Sequence, residues 1–458
     1  MTVQTTALIR QLGIASASAL VISNMIGAGI WSTPGVLAGQ LGSSALMLLV
    51  WAVGAVCALA GAFCYSELGV NFPSSGGEYV YLTQAYGPTW GFMTGWVSFF
   101  AGFSAPIAAA ALAFSDYLGH FLASFKLENA RHLAGSGAFE FKFGFPQAIA
   151  CVVIAIFTII NCLGLRLSSR VQNVLTFVKV TVIAVFLVAG FAFGSGSWEN
   201  FAHPAVRTSG TPIFGQFIVS LLLVYFGYSG WNAATYVAEE LKNPARTLPY
   251  SLAFGTLLVG ALYLGLNALF IYAVPLETMK GEVAVGALAA THLFGPAVAG
   301  AFAAAMALSL LATMNAEVTI GPRVYYAMAK NGAFFADAAK VHPRWHTPVI
   351  AIVCQGVCSM LMTLTPFVDL LLYIGFLLNV FALLSVASLF RLRNRPGWRK
   401  LGVVSFAYPL VPVFFILFGV GMTIFSLTYK PVTAMIAILT VAVGAAVYHF
   451  RIRNRKVA

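Results

Sequence analysis

The chain has 458 residues, of which 60% are hydrophobic and only 8% are charged. Soluble domains carry about 25% charged residues, so this composition excludes a soluble globular protein and indicates an integral membrane protein. The net charge of +12 does not indicate a nucleic-acid partner, because the basic residues are spread over the short loops between apolar runs.

Apolar runs long enough to cross a bilayer recur from end to end. A membrane-spanning helix needs about 20 apolar residues, whereas barrel strands show about ten residues of alternating character. The runs therefore predict an all-α membrane protein with 12 transmembrane helices. These spans are expected near residues 13–39, 44–72, 85–121, 145–163, 169–194, 211–240, 247–275, 296–330, 347–367, 369–391, 403–428 and 431–451.

The basic residues predict the orientation. With the N-terminus in the cytoplasm, most of the 25 Lys and Arg residues fall in loops on that side, which is the positive-inside pattern. We therefore expect a cell-membrane protein with both termini in the cytoplasm. The six cysteines lie in or beside spans and lack the spacing of a zinc site, so we expect neither a metal nor a cofactor.

The first span contains two glycines, Gly27 and Gly29, inside the apolar run 21–31. Gly costs about 1 kcal/mol relative to Ala in a helix, so this run is expected to unwind there. Broken backbone at membrane depth occurs where it lines a cavity in the protein. Close packing of a neighbouring helix against small residues is the alternative, and this segment alone does not separate the two.

The positions of four charged residues predict their surroundings and partners. Glu67 lies at the inner end of the second span and Glu78 in the loop that follows it, where we expect solvated ion pairs at the inner surface, with a role in an inner gate as the alternative. Lys179 lies near the middle of span 5, where a charge costs about 2.5–3.5 kcal/mol, so it should face a polar cavity or a partner. Glu317 lies deep in span 8, and opposite charges are more easily accommodated together, which makes it the expected partner of Lys179.

The sixth span repeats the peculiarity of the first. Gly227 and Gly230 interrupt the apolar run 223–232, five spans after the first interruption. Interruptions at corresponding positions of two halves are typical of transporters built from inverted repeats, with the binding site at the two breaks. The pair therefore favours unwinding over close packing for the first span as well.

An ordered set of motifs is spread over most of the chain. The motifs are Ile26-Gly27-Ala28-Gly29-Ile30 with Pro34-Gly35, Ser75-Gly76-Gly77-Glu78-Tyr79 with Tyr86-Gly87, Phe177-Val178-Lys179-Val180, Phe226-Gly227-Tyr228-Ser229-Gly230-Trp231-Asn232 with Glu239-Glu240 and Asn243-Pro244, Arg323-Val324-Tyr325-Tyr326 with Asn331-Gly332, and His342-Pro343 with Thr347-Pro348. Together they resemble the amino acid–polyamine–organocation (APC) superfamily, most closely its L-type amino acid transporter branch and related bacterial permeases.

The resemblance implies a LeuT-type fold with a 5+5 inverted repeat. The first repeat would comprise residues 13–194 (spans 1–5), the second residues 211–391 (spans 6–10), and two peripheral helices residues 403–451. It also implies transport of amino acids by alternating access, usually without sodium. Lys179 matches the span-5 lysine that stands where sodium-coupled relatives hold an ion.

The resemblance further implies a substrate site at the two breaks, formed by Met25, Ile26, Gly27, Ala28, Gly29, Phe226, Gly227, Tyr228, Ser229, Gly230 and Asn232. Phe226 matches the aromatic residue that closes over the substrate from outside, and Asn232 matches a polar pocket position. Two departures are relevant. Glu317 stands where the eukaryotic branch usually has a small hydroxyl residue, and the outer loop after span 3 lacks the cysteine that bonds a heavy chain, so no disulfide-linked heavy chain is expected.

A broken helix complements a zwitterionic amino acid. Its second half begins with free N–H groups of partial positive charge, and its first half ends with free carbonyls of partial negative charge. The apolar neighbours Phe226, Tyr228, Ile26 and Ile30 would then favour a neutral side chain. We hypothesise that Lys179 donates to the unwound carbonyls of span 1, and that Glu317 either carries a proton with it or is its static partner.

The predicted function is transport of neutral or a broad range of L-amino acids by exchange or proton symport. A polyamine or cationic amino acid exchanger of the same superfamily remains an alternative, as does a non-transporting amino acid sensor. A membrane enzyme is not supported, because the sequence has no His/Asp/Glu cluster, activated nucleophile or nucleotide loop. A channel would require a ring of charges or a repeated carbonyl filter.

Overall fold

The computed structural model describes residues 10–134, 141–282, 284–429 and 431–453. The helices are α1 (Ile14–Met25), α2 (Ala28–Leu41), α3 (Ser44–Asn71), α4 (Glu78–Tyr86), α5 (Pro88–Val97), α6 (Ala105–Leu118), α7 (Phe145–Cys162), α8 (Leu165–Phe193), α9 (Ile213–Tyr228), α10 (Pro244–Ala273), α11 (Leu276–Met279), α12 (Val285–Phe294), α13 (Pro296–Lys330), α14 (Val349–Met362), α15 (Phe367–Leu392), α16 (Gly402–Ser405), α17 (Leu410–Tyr429) and α18 (Pro431–Val447). A π-helical segment, Ser98–Ser104, joins α5 to α6, and a 3-10 helix, Ala233–Glu240, follows α9. Two short antiparallel strands, β1 (Arg131–Ala134) and β2 (Phe141–Phe143), pair after α6.

Eleven helical segments of the described chain are long and apolar enough to cross a membrane. They correspond to predicted spans 1–8 and 10–12, and the shorter apolar helix α14 occupies the position of span 9. The predicted all-α membrane fold is therefore confirmed. The count of twelve and the inverted repeat remain predictions.

The broken spans lie in the centre of the molecule. In the most apolar window of span 1, 78% of the residues are buried inside the protein, and in spans 3 and 6 the share is 72%. The corresponding share is 28% in spans 5 and 11 and 17% in span 12. Apolar helix surface that the protein leaves uncovered is suited to contact with lipid, which holds for much of span 5 and for the last two spans.

Two carboxylates expected in solvated ion pairs are buried instead. Glu67 is 0% exposed, and its carboxylate accepts hydrogen bonds from Arg393 Nε at 2.6 Å and from the Trp398 indole at 2.8 Å. Glu78 is also buried and makes no ion pair among the described residues. The expectation failed for Glu67 because the chain after α15 covers the inner end of α3, and for Glu78 because Tyr65 and Asn232 pack against it; no local pattern indicates either contact.

Replacing Arg393 with Ala is expected to destabilise the protein strongly. The change leaves the Glu67 carboxylate buried without its counter-charge, which costs about 3–5 kcal/mol. Lys340→Ala is the matched control, because Lys340 pairs with Asp337 at the surface with both side chains more than half exposed, and such pairs contribute about 0–1 kcal/mol. The measurement is the temperature at which each purified variant loses its monodisperse size-exclusion peak, and equal temperatures for the two variants would contradict the expectation.

Candidate functional site

The first span breaks over two residues. α1 ends at Met25 and α2 begins at Ala28, so only Ile26 (φ −76°, ψ 86°) and Gly27 (φ −124°, ψ −156°) leave the helical conformation. The predicted unwinding of this span is confirmed. It is shorter than expected, since Ala28 and Gly29 already belong to the second half of the helix.

The sixth span breaks at the end of the predicted stretch. α9 ends at Tyr228, Ser229 has ψ 148°, and the chain becomes helical again only at Ala233. Gly230 has φ +97°, a conformation that favours glycine. A Cβ atom there would lie 2.8 Å from the carbonyl carbon of Asn24, so this turn lies directly against the first span.

The other two glycines serve close packing. A Cβ atom on Gly29 would lie 2.5 Å from the Cα atom of Gly227, and the Phe226 ring would be 3.4 Å away. Spans 1 and 6 therefore touch backbone to backbone at this point. Unwinding is thus correct for Gly27 and Gly230, and close packing is correct for Gly29 and Gly227.

Lys179 holds the carbonyls of the first break. Its side chain is 1% exposed, and its ammonium donates to Ile26 O at 2.5 Å, to Ser23 O at 3.2 Å and to the Thr313 hydroxyl at 2.9 Å. The predicted donation to span 1 is therefore present. The span-8 residue that hydrogen-bonds Lys179 is Thr313, one helical turn before Glu317; the pairing of Lys179 with Glu317 as opposite charges stays a prediction.

Tyr263 connects the two breaks. Its hydroxyl lies 2.6 Å from Met25 O and 3.1 Å from Gly227 O. The hydroxyl is therefore within hydrogen-bond distance of a carbonyl near the end of each first half, and its single proton serves one of them at a time. Sequence analysis missed Tyr263, because a single tyrosine in an apolar span carries no local signal.

The start of α2 presents the opposite polarity. Gly27 is its N-cap residue and no side chain of the described residues caps it. The first N–H groups of a helix have no partner within the helix and carry partial positive charge. This end of α2 is therefore suited to a carboxylate.

A stripe of buried polar residues precedes Lys179 on the same face of α8. Ser168, Gln172, Thr176 and Lys179 are all buried on one face of α8, and the Gln172 side chain accepts a hydrogen bond from Asn315 of α13 at 2.8 Å. Sequence analysis did not use this stripe, although polar residues three and four positions apart in an apolar span are a detectable signal. The stripe fixes α8 against α13 and so fixes Lys179.

A cavity of about 40 Å³ lies beside the second break. Its lining comes from spans 1, 3, 6, 8 and 10 and from the connection after span 2, and includes Asn24, Glu78, Gly102, Phe103, Ser229, Gly230, Asn232, Tyr236, Glu317 and Ala382. Of the predicted site residues, Ser229, Gly230, Asn232 and Glu317 line it. The others, which lie at the breaks and at the glycine contact outside its lining, are Met25, Ile26, Gly27, Ala28, Gly29, Phe226, Gly227, Tyr228 and Lys179.

Glu78 is a site residue that sequence analysis placed at the surface. Its Oε1 atom accepts hydrogen bonds from Asn232 Nδ2 at 2.6 Å and from the Tyr65 hydroxyl at 3.0 Å. Burial raises the pKa of this carboxyl above its usual value, against the hydrogen bonds, which lower it. Asn232 also lies 3.0 Å from the Tyr236 hydroxyl, so the polar wall of the cavity is a connected network.

The third span contributes an irregular segment. The π-helical turn Ser98–Ser104 carries Gly102 and Phe103, both of which line the cavity. Single π-helical turns inside α-helices are frequent at functional sites. Sequence analysis did not predict the turn.

Two broken spans, an ammonium fixed at one break and a polar cavity at the other are typical of membrane transporters. Residues 12–447 match the amino acid permease family, and the chain belongs to that family. The family and the relatives below are transporters, so this protein is an amino acid transporter and not an enzyme, as predicted.

The chain is similar over nearly its whole length to curated transporters. It is 28% identical to the large neutral amino acids transporter small subunit 2 of Mus musculus, over 96% of this chain and 81% of the relative. It is 29% identical to the serine/threonine exchanger SteT of Bacillus subtilis, over 96% of both chains. It is 27% identical to the Asc-type amino acid transporter 1 of Mus musculus, over 96% of this chain and 81% of the relative.

Proposed function

We propose that this protein moves amino acids across the cell membrane by alternating access, without sodium, and with both termini in the cytoplasm. Residues 13–194 and 211–391 act as the two inverted repeats, and residues 403–451 as peripheral helices. The supporting observation is the pair of breaks, which lie in contact with each other five spans apart along the chain. The basic inner loops support the orientation.

The amino acid's charged ends are recognised by main chain. The carboxylate is bound by the uncapped N–H groups at the start of α2, where the helix dipole favours negative charge. The ammonium is bound by the carbonyls that end α9, where the partial charge is negative. Residues Met25 to Gly29 and Phe226 to Gly230 supply this backbone, so the common part of every amino acid is recognised without a dedicated side-chain charge.

Independence from sodium follows from Lys179. A cation that binds an unwound helix is coordinated by main-chain carbonyls. Here the Lys179 ammonium already donates to Ile26 O and Ser23 O. The tethered Lys179 side chain therefore takes the place that a dissociable cation would need.

Uptake by proteoliposomes that contain only this chain tests the proposal. Labelled amino acids should accumulate inside the vesicles in a sodium-free buffer. Accumulation that requires an amino acid inside the vesicles indicates exchange, and accumulation that requires an inward proton gradient indicates proton symport. Because no other protein is present, the same experiment tests whether the chain works without a heavy chain. Binding of amino acids without their movement would identify a sensor and overturn the proposal.

A further inference from the structure

The buried charges of the described residues do not balance. Seven charged side chains are buried, four carboxylates and three cations: Glu67, Glu78, Glu240 and Glu317, and Lys179, Arg323 and Arg393. Two pairs are closed, since Arg393 binds Glu67 and Arg323 binds Glu240 at 2.9 Å. Glu78, Glu317 and Lys179 remain, which leaves one negative charge in excess.

The same region has acceptors without donors. Glu78 Oε2, Glu317 Oε2 and Asn24 Oδ1 are buried and have no hydrogen-bond partner among the described residues, and all three residues line the cavity at the second break. The Lys179 ammonium does not serve them, because its hydrogen bonds go to Ser23, Ile26 and Thr313. No Lys or Arg belongs to the described lining.

We infer that this cavity is a subsite for an alkylammonium group, held by Asn24, Glu78 and Glu317 and carried by the side chain of a basic amino acid or by a diamine. The inference rests on the proposed function and names its substrate class. An alkylammonium has one positive charge and three N–H donors, which matches one excess negative charge and three unpaired acceptors. The cavity volume of about 40 Å³ suits this compact group.

Water and protons fit the cavity less well. A water molecule brings donors but leaves the excess charge, and a buried uncompensated charge is costly. A proton on one carboxyl removes the charge but brings a single donor for three acceptors. An alkylammonium both neutralises the excess charge and supplies three donors. The inferred substrate therefore has a charged side chain, and not the neutral one that the apolar residues at the breaks led us to expect.

The test compares substrates that differ only in this group. L-lysine and L-norleucine share the same carbon chain, and only lysine has the terminal ammonium. In proteoliposomes of the wild-type protein, lysine uptake is expected to exceed norleucine uptake at least about tenfold, the effect of one hydrogen bond to a charged group. Cadaverine, which has the ammonium but no carboxylate, distinguishes a diamine substrate from a basic amino acid. If it inhibits lysine uptake as strongly as unlabelled lysine does, the substrate is a diamine, and if it inhibits more weakly, the substrate is a basic amino acid.

Two variants assign the subsite to its residues. Glu317→Gln and Glu78→Gln keep the side-chain size and remove the charge, and each is expected to lower the lysine-to-norleucine ratio about tenfold. Glu199→Gln is the control, since Glu199 is exposed and lies outside the cavity lining, and its ratio should match the wild type. Size-exclusion profiles show whether each variant is folded. The comparison of lysine and norleucine uptake uses only the wild-type protein, so it tests the subsite even if a variant does not fold.

The outcomes separate this inference from the proposed function. If the protein takes up norleucine and neither lysine nor cadaverine inhibits that uptake, the inferred alkylammonium subsite is wrong, whereas the proposed transport of amino acids still holds. Unchanged ratios in both folded glutamine variants would also overturn it. If no amino acid moves at all under any drive, the proposed function itself fails.

Discussion

Replacing Lys179 with Ala is expected to abolish amino acid uptake, with initial rates at least about 100-fold lower in proteoliposomes. The change removes two hydrogen bonds from a charged donor to the carbonyls of Ile26 and Ser23, and each such bond contributes about 1.5–3 kcal/mol. Since about 1.4 kcal/mol corresponds to a factor of ten, losing both accounts for the drop. The first break then lacks the donor that holds its conformation.

Thr313→Val is the matched control for this variant. It removes the 2.7 Å hydrogen bond from the Thr313 hydroxyl to Ile26 O and the 2.9 Å hydrogen bond from Lys179 to that hydroxyl. It keeps the bonds of Lys179 to both carbonyls, so we expect a decrease of about tenfold or less. Both proteins should elute as monodisperse peaks, because the loss is local to the break. Near-normal transport by a folded Lys179→Ala protein would show that the ammonium is not needed there.

Gly29→Ala is expected to reduce uptake more than about tenfold and to lower thermal stability. The added Cβ atom would lie 2.5 Å from the Cα atom of Gly227, whereas carbon atoms in contact are normally about 3.5–4.0 Å apart. The Cα atom belongs to the main chain and the position of the Cβ atom is fixed by its own backbone, so no side-chain rotation relieves the overlap and spans 1 and 6 must separate. Overpacking of this kind costs about 1–3 kcal/mol.

The same substitution at Gly421 supplies the control. Gly421 lies within α17, and a Cβ atom there meets nothing within 4 Å. Ala is favoured over Gly in a helix by about 1 kcal/mol, so Gly421→Ala should keep wild-type uptake and stability or exceed that stability slightly. A Gly29→Ala protein that behaves like Gly421→Ala would mean that close contact of the two spans is unimportant.

Much of the architecture was predictable because the lipid bilayer imposes its demands on short stretches of chain. The membrane class, eleven of the twelve spans and the two interruptions all follow from local composition, and the structure confirms them. The exact break residues were less predictable. Gly27 unwinds while Gly29 stays helical, and the difference depends on what each glycine meets in the neighbouring span.

The partners within the site were not predictable for a related reason. Lys179 and Ile26 are 153 residues apart in sequence, and Thr313 and Ile26 are 287 apart. Two charges deep in the membrane made a Lys179–Glu317 pair the simplest expectation. The folded chain gives the hydrogen bonds of Lys179 to carbonyls and a hydroxyl, and Glu317 lines the cavity.

By itself, then, the sequence determined the membrane class, the two interrupted spans and the need for Lys179 to find polar partners, because desolvation in lipid penalises each of these locally. Only the tertiary structure decided which carbonyls Lys179 binds, that Tyr263 links the breaks, and that Glu78 lies in the cavity and not at the surface. Those outcomes depend on which distant donors and acceptors the packed helices bring within about 3 Å of each other, the range of a hydrogen bond.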